Sequence, residues 1–269
     1  MMQESEIIFL PEVGSTNTWM RERLTEKPAD RFSHLFTVCT FRQTAGRGQQ
    51  GNSWESEPDK NVSFTTLLDT SALCVSELWR VTECCALAVQ QALCSFNMPA
   101  VIKWPNDIYV GDEKICGILI ESVLQGHNVP CCLAGIGINV NQISFISGAP
   151  NPTSMRLIAG HDFNKEEVLR RVLAELSQLW KLVIAQPDML KRMYMQHLYR
   201  REGEYLWRRK EASTAPMRID WETDNTEFDK AIFRAAIDDI TEEGCLVLRK
   251  RDGTTETFHF KQVQYIIPK

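Results

Sequence analysis

The segment Lys103-Trp104-Pro105-Asn106-Asp107, with Lys114 and then Gly117-Ile118-Leu119 after it, interrupts an apolar pattern with charged and amide side chains. Val101 and Ile102 lead into it, and the apolar pattern resumes from Ile115 to Ile120. Because proline has no backbone N–H and restricts the residue before it, Pro105 cannot continue a central strand. The polar cluster is therefore expected at a strand end, which is where α/β folds place their sites.

The composition predicts a globular protein with one large domain, or with a core domain and a small appendage. The chain has 269 residues, of which 43% are hydrophobic, and this excludes a largely disordered chain. No apolar run approaches the roughly 20 residues that cross a bilayer. The start of the chain, Met1 to Glu6, lacks the basic-then-apolar order of a signal peptide. We therefore expect a cytoplasmic protein with no membrane partner.

The charge and the cysteine pattern bear on two further classes of protein. Thirty basic and 35 acidic residues give a net charge of −5, which does not support broad attraction to nucleic acid but leaves room for a local cationic site. The nine cysteines are scattered without a Cys-x-x-Cys pair, and the five histidines show no metal-ligand spacing. We expect buried, reduced thiols and no structural zinc. Nothing in the pattern indicates a Cys-His nucleophile, although the sequence does not exclude one.

Strand patterns alternate with helix patterns over about the first 200 residues. Apolar runs and period-two alternation predict strands at 7–10, 35–41, 61–68 and 129–140. Capping residues and helical apolar spacing predict helices after Ser15-Thr16-Asn17, over 76–96, after Asn164 and over 189–199. The polar, glycine-containing segment 43–54 is predicted as a flexible loop.

Short alternating strands replace this pattern from about Met217 onward. They are predicted at 231–237, 245–248, 256–260 and 263–267, with turn signals at Glu243-Gly244 and Asp252-Gly253. This predicts a small all-β appendage of barrel type. The basic run Arg208-Arg209-Lys210 marks the boundary, which gives domains at residues 1–212 and 213–269.

The glycine loop Gly46-Arg47-Gly48-Gln49-Gln50-Gly51 matches the dinucleotide fingerprint, but its context does not. That fingerprint needs a helix opening at the third glycine to receive the pyrophosphate, whereas residues 52–60 have no helical periodicity. A phosphate loop is also excluded, because Asn52 stands where its motif requires lysine.

What the loop offers is close backbone approach and one fixed cation. Three glycines allow the backbone to close over a ligand, and the Arg47 guanidinium suits a carboxylate or phosphate. We predict a mobile anion-binding lid; the alternative is a solvent-exposed connection with an incidental arginine. Similar alternatives apply to other residues when each is considered by itself. Trp54 could be a packing residue, and Lys103 and Lys114 could be solvated surface charges.

Taken together, these segments resemble the biotin protein ligases. The resemblance is dense over roughly the first 140 residues, while the later helices and the β appendage match only in outline. Its most specific part is the Lys-Trp-Pro-Asn-Asp segment with Lys114 and Gly117, whereas the glycine loop alone is weak. The matching residues are Ser15-Thr16-Asn17, Gln43, Ala45 to Gly48, Gly51, Trp54, Asn61, Lys103 to Asp107, Lys114, Gly117 to Leu119, Glu121 and Gly135 to Asn139.

The resemblance implies an α+β fold. It consists of a catalytic domain like that of class II synthetases, in which helices flank a mixed sheet, followed by an SH3-like C-terminal barrel. It also implies two reaction steps. In the first, the carboxylate of biotin attacks the α-phosphate of ATP and gives biotinyl-5′-AMP and pyrophosphate. In the second, the ε-amine of one lysine of biotin carboxyl carrier protein takes the biotinyl group, and AMP leaves.

The resemblance also implies roles for individual residues. The implied catalytic residues are Lys114 at the biotin carboxylate and the α-phosphate, Arg47 on the adenylate, and Asp107, which would orient and deprotonate the acceptor amine. Mg²⁺ would enter with ATP near Asn106 and Asp107, with no firmly assigned ligand. The implied biotin-binding residues are Ser15, Thr16, Asn17, Gln43, Gly46, Arg47, Gly48, Gln49, Lys114, Gly135 and Gly137. The implied ATP- and adenylate-binding residues are Arg47, Trp54 against adenine, Lys103, Asn106, Asp107, Lys114 and Asn139.

Two departures from the family pattern lead to further expectations. Gln49, Gln50 and Asn52 stand where well-known bacterial members carry basic residues, so we expect faster leakage of biotinyl-AMP. The catalytic pattern begins by about Ile7, which leaves no room for the helix-turn-helix domain of repressor members. We therefore expect a monofunctional ligase with no DNA partner.

Two rival functions stay open at this point. Lipoate-protein ligases share the fold and the acyl-adenylate chemistry, but their Arg-Arg-x-Ser-Gly-Gly-Gly signature is not in this chain. A non-enzymatic binding module would retain the pocket without turnover, and the intact Arg47 and Lys114 argue against it.

Overall fold

The computed structural model describes residues 6–126, 128–146, 151–210 and 231–267. The chain divides into two compact units, the first ending at Tyr199 and the second beginning at Arg200. The boundary predicted between residues 212 and 213 lies outside the described residues and stays a prediction. The strand Tyr205–Arg209, which precedes that boundary, pairs inside the sheet of the second unit.

A seven-stranded mixed sheet forms the centre of the first unit. Its order is β1-β2-β5-β9-β8-β7-β6, in which β1 and β2 are parallel and every other neighbouring pair is antiparallel. The strands are β1 (Ile7–Leu10), β2 (Thr37–Thr40), β5 (Val62–Asp69), β6 (Ala100–Lys103), β7 (Asp107–Val110), β8 (Glu113–Gln125) and β9 (Asn128–Ile138). A separate two-stranded hairpin joins β3 (Gly46–Arg47) to β4 (Ser53–Trp54).

Helices cover both faces of this sheet. The helices are α1 (Thr16–Glu26), α2 (Trp79–Ser95), α3 (Met155–Ala159), α4 (Lys165–Ala185) and α5 (Pro187–Gln196), and three short 3-10 turns lie at Ala29–Arg31, Gln49–Gly51 and Val75–Glu77. On one face, Met20 of α1 shares a core cluster with Val38 and Leu133. On the other face, Cys85 of α2 lies near Cys132. Cys132 and Leu133 are consecutive in β9, so their side chains point to opposite faces of the sheet.

The starts of α1 and α4 follow from their capping residues. The Ser15 hydroxyl accepts a hydrogen bond from the backbone N–H of Thr18, at 3.5 Å. The Asn164 side chain accepts from the N–H groups of Glu166 and Glu167, at 3.0 and 3.3 Å. Both caps satisfy backbone donors that have no partner inside the helix, and both were predicted.

The second unit is a five-stranded antiparallel sheet in the order β13-β12-β11-β10-β14. Its strands are β10 (Tyr205–Arg209), β11 (Ile232–Ile240), β12 (Leu246–Arg249), β13 (Thr255–Phe258) and β14 (Val263–Tyr265). Trp207 is fully buried, and its indole N–H donates to the carbonyl of Ala235 at 3.0 Å. The predicted α+β class, with a mixed sheet flanked by helices and a small C-terminal β unit, is confirmed.

The structure corrects the prediction for segment 43–54 and adds elements that were not predicted. The predicted flexible loop is wrong, because the segment contains the β3–β4 hairpin, in which the N–H of Gly48 donates to the carbonyl of Asn52 at 2.7 Å. Strands β7 and β10 and helix α3 were not predicted. Within the described ranges, no helix is long and apolar enough to cross a membrane.

Candidate functional site

Three glycines form a floor on the α1 face of the sheet. Gly117 of β8 pairs with Gly137 of β9, and Gly135 lies two residues before Gly137 on the same face. A Cβ added to Gly137 would stand 2.5 Å from the Trp54 indole, and one added to Gly117 would stand 2.9 Å from it. A Cβ on Gly135 would collide with the side-chain amide of Asn17. These glycines therefore allow flat or polar groups to lie directly on the backbone of the sheet.

Hydroxyl and amide groups gather at one end of this floor, where α1 begins. The Gln43 side-chain oxygen accepts from the backbone N–H and the hydroxyl of Thr16, at 3.0 and 3.3 Å. The Thr65 hydroxyl contacts Thr16 Oγ1 at 2.8 Å and Asn17 Oδ1 at 2.5 Å. Ser15, Thr16 and Asn17 are all buried. The groups are neutral, so they suit a neutral polar ring better than an ion.

Glu121 forms ion pairs with two arginines beside this cluster. Its carboxylate accepts from the Asn17 amide at 2.8 Å and pairs with Arg21 at 3.0 Å and with Arg47 at 3.4 Å. Arg47 belongs to the hairpin, so this pair ties the hairpin to β8. The sequence placed Glu121 in the resemblance but gave it no role.

An ion pair lies beside the other end of the floor. The Lys114 ammonium is 2.6 Å from the carboxylate of Asp107, and both side chains are about one quarter exposed. The same ammonium lies 5.8 Å from the centre of the Trp54 ring, and Lys114 Cε would lie 3.4 Å from a Cβ on Gly117. The Lys114 backbone is fixed by hydrogen bonds to Asn151 and Thr153. A cation with a fixed backbone is thus placed at the edge of the glycine floor.

The turn that carries the Lys-Trp-Pro-Asn sequence is supported from behind. Asn106 is buried, and its amide donates to the backbone carbonyl of Ile118. The hydroxyl of Tyr194 in α5 donates to the carbonyl of Pro105 at 2.7 Å. The Lys103 ammonium lies 4.8 Å from the centre of the Tyr109 ring. Asn106 therefore holds the turn in shape, and its role toward ATP stays a prediction.

The hairpin residues predicted to contact biotin form the rim above the floor. A Cβ on Gly46 would collide with the carbonyl of Trp54, and one on Gly48 would stand 3.1 Å from Asn52 Cβ. Gln49 begins the 3-10 turn of the hairpin. The close approach of β3 and β4 requires Gly46, and the turn between them leaves little room for a Cβ on Gly48, so both glycines have a structural reason independent of any ligand.

Three buried polar atoms of the site, one each on Asn139, Ser63 and Trp54, have no hydrogen-bond partner among the residues described. Asn139 donates through its amide to the carbonyl of Thr153 at 2.9 Å, but its side-chain oxygen is unpaired. Ser63, which sequence reasoning missed, has an unpaired buried hydroxyl on the α1 face of β5. A lone serine in an apolar strand pattern gives no signal by itself; only the pairing of Ser63 with Gly137 reveals its place.

The structure brings most of the predicted site residues together around one floor. The neutral cluster of Ser15, Thr16, Asn17 and Gln43 stands at one end, and Lys114 with Asp107 stands beside Gly117. Gly135 and Gly137, which were predicted to bind biotin, are covered by side chains, Gly135 by Asn17 and Gly137 by Trp54. The ligand contacts themselves stay predictions.

Metal and thiol chemistry find little support in the described part of the chain. It contains no group of three or more His, Cys, Asp or Glu side chains that could hold a metal ion. All nine cysteines are free thiols; seven are buried, whereas Cys74 and Cys94 are exposed, which corrects the expectation of burial for these two. Burial raises the pKa of Cys39 to about 12 and that of Cys131 to about 11, so neither forms a thiolate near neutral pH.

Comparison with known proteins identifies a matching family and several relatives. Residues 11–139 match the Biotin/lipoate A/B protein ligase family. A biotin–[acetyl-CoA-carboxylase] ligase of Paracoccus denitrificans is 35% identical over 141 residues, 49% of this chain and 57% of that protein. The bifunctional ligase/repressor BirA of Bacillus spizizenii is 30% identical over 142 residues, 51% of this chain and 43% of that protein. The chain thus spans about half the length of the curated relatives it matches.

The fold comparison extends over nearly the whole chain. The biotin protein ligase of Aquifex aeolicus, solved in complex with biotin and ATP, has a TM-score of 0.71 and 25% identity. The match covers 97% of this chain and 99% of that one. The chain thus matches the Biotin/lipoate A/B protein ligase family over residues 11–139, and its fold matches that of the Aquifex aeolicus biotin protein ligase over nearly its whole length.

Proposed function

We propose that this protein is an ATP-dependent ligase that activates biotin as biotinyl-5′-AMP and transfers the biotinyl group to a lysine of a biotin carboxyl carrier protein. The observation that carries the proposal is the polarity of the glycine floor. A neutral hydroxyl and amide cluster lies at one end, and the Lys114 ammonium lies at the other. This suits a ligand with a neutral polar ring and an anionic tail, such as biotin.

The first step requires positive charge where two anions meet. The oxygen of the biotin carboxylate bonds to the α-phosphorus of ATP, and the bond from that phosphorus to the bridging oxygen breaks as pyrophosphate leaves. Lys114 and Arg47 are the cations at the floor and on the hairpin, and each would stabilise charge that grows in the transition state. The unpaired oxygen of Asn139 supports its assignment to ATP, because it could accept from the amino group of adenine.

The second step requires a neutral acceptor amine. Its nitrogen bonds to the acyl carbon, the bond from that carbon to the phosphate oxygen breaks, and the amine loses a proton. Asp107 is our candidate for orienting that amine and taking its proton. This carboxylate is paired with Lys114, so Asp107 would also hold the Lys114 ammonium in position.

Magnesium fits this site as an ion carried by ATP. Mg²⁺ is usually held by one or two carboxylates together with substrate phosphates, and Asp107 is the carboxylate beside Lys114. Asn106 would have to contribute through its oxygen, because its amide nitrogen is engaged with Ile118. Bound there, the ion would neutralise phosphate charge.

The predicted cytoplasmic location agrees with this chemistry and stays a prediction.

The test is to incubate the protein with ATP, Mg²⁺, a biotin carrier domain and either biotin or lipoate, and to measure pyrophosphate release and the mass of the carrier. We expect one biotinyl group per carrier and no lipoyl transfer, with Lys114→Gln inactive as the control. Lipoyl transfer would indicate a lipoate ligase. Biotin binding without pyrophosphate release would indicate a binding module, and either result contradicts the proposal.

A further inference from the structure

Ser63 is the least explained polar residue of the site. It is 2% exposed, and its hydroxyl has no hydrogen-bond partner in the part of the chain that the structure describes. Burying a hydroxyl without a partner is unfavourable, so such a group in a folded protein needs an explanation. Its neighbour two residues on, Thr65, contacts Thr16 and Asn17 through its own hydroxyl.

Strand geometry directs Ser63 toward the glycine floor. Side chains two residues apart share a face, so Ser63 lies on the same face as Thr65. Ser63 pairs across the strands with Gly137, and Gly137 pairs with Gly117. The row Ser63–Gly137–Gly117 therefore crosses three strands, with a hydroxyl at one end and the Lys114 side chain beside the other.

The indole of Trp54 lies over this row, and its N–H is a second unpaired polar group. Its Nε1 would be 2.5 Å from a Cβ on Gly137, and this buried N–H also has no partner among the described residues. Paired residues of adjacent strands have Cβ positions about 5 Å apart. The Trp54 N–H therefore lies over the strand position next to Ser63, and no hydrogen bond joins the two groups.

We propose that Ser63 is a ligand-binding residue, whose hydroxyl hydrogen-bonds a polar atom of the ring system of biotin when that ring replaces the Trp54 indole over Gly137. This inference rests on the proposed function, because it takes biotin as the ligand. The ring, rather than the carboxylate, is assigned to Ser63 because Lys114 stands at the far end of the row. Ser63 also adjoins the neutral cluster through Thr65, which favours a neutral group.

The test is Ser63→Ala, with biotin affinity measured by titration calorimetry and stability by urea unfolding of the ligand-free protein. Loss of one ligand hydrogen bond is expected to raise the Kd about 5-fold. Because the hydroxyl is unpaired without ligand, its removal is expected to leave the unfolding midpoint unchanged or raised. A residue with a structural role would instead lower it. Ser122→Ala is the matched control, since Ser122 lies in β8 on the opposite face, with its hydroxyl near Cys132 Sγ.

A second ligand shows whether Ser63 contacts the ring or the carboxylate of biotin. Biotinol, in which an alcohol replaces the carboxylate, keeps the ring, so Ser63→Ala is expected to weaken its binding by the same factor. An unchanged Kd for biotin, a lowered unfolding midpoint, or a penalty that disappears with biotinol would each overturn the inference. If the unaltered protein does not bind biotin at all, the proposed function itself fails, which is a distinguishable result.

Discussion

Replacing Gly137 by alanine tests whether the glycine floor is the surface on which the ligand rests. The added Cβ would stand 2.5 Å from the indole Nε1 and Cε2 of Trp54. Carbon atoms in ordinary contact are about 3.5–4.0 Å apart, so the indole must withdraw by about 1 Å or more. Gly137 is the next-to-last residue of β9 and has no positive φ, so alanine itself fits the backbone there.

The expected cost differs between the free protein and the complex. Overpacking costs about 1–3 kcal/mol in a fixed core. Trp54 ends a two-residue strand and is only half-buried, so it can move, and alanine favours a strand by about 0.5–1 kcal/mol over glycine. We therefore expect the unfolding free energy to fall by at most about 1–2 kcal/mol. A ligand clamped between the floor and the hairpin cannot withdraw as freely, so its Kd should rise about 10- to 100-fold.

Urea unfolding and titration with biotin measure the two effects separately. Gly14→Ala is the control, because its added Cβ would meet only Ala45 Cβ at 3.8 Å, and both measurements should match the unaltered protein. Adding Trp54→Ala to Gly137→Ala removes the clash with the indole, so it should remove the overpacking penalty without restoring biotin affinity. If Gly137→Ala binds biotin with unaltered Kd, the floor is not the ligand surface and the reasoning is refuted.

Three further predictions concern charge. Lys114→Gln should slow pyrophosphate release by about 10²- to 10³-fold while weakening biotin binding much less, and equal losses in both would contradict a role in the transition state. The double variant Gln49→Arg with Asn52→Arg should slow dissociation of labelled biotinyl-AMP; unchanged or faster release would remove the explanation for leakage. Burial lowers the pKa of His34 from 6.5, and its Nδ1 accepts from the N–H of Asp69 at 3.2 Å. The unfolded chain, in which His34 keeps its ordinary pKa, then binds a proton at a higher pH than the folded protein does, so the free energy of unfolding should fall as the pH drops below 6.5. His34→Asn should make the free energy of unfolding, measured with urea, depend less on pH.

The sequence predicted the elements whose signals are local. The Asn164 cap, the apolar spacing of α4 and the alternation in the central strands are read within a few residues of chain. Lys114 and Asp107 could likewise be predicted because their motif fixes the spacing between them. Strand β7 was missed because the reversal of the chain at Pro105 becomes visible only from the antiparallel pairing of Asp107–Val110 with β6.

The contacts that complete the site depend on cross-strand register, which no local pattern records. Gly117 and Gly137 are 20 positions apart in the sequence and become one floor only through the pairing of β8 with β9. Glu121 contacts Arg47 across a separation of 74 residues. Trp54 was expected against adenine, but its position over the glycines depends on the β3–β4 hairpin, whose two-residue strands give too short an alternation to detect.

The two cations assigned to the reaction both have a carboxylate partner. Lys114 pairs with Asp107 and Arg47 pairs with Glu121. The Arg47 side chain is 48% exposed, and exposed pairs of this kind contribute only about 0–1 kcal/mol to stability. Arginine forms charge-assisted hydrogen bonds with phosphate as it does with carboxylate, so an adenylate could replace Glu121 at Arg47 at little cost. The same exchange would release Asp107 from Lys114 once the phosphate arrives. The acceptor amine would then meet a carboxylate that the bound nucleotide has released from Lys114.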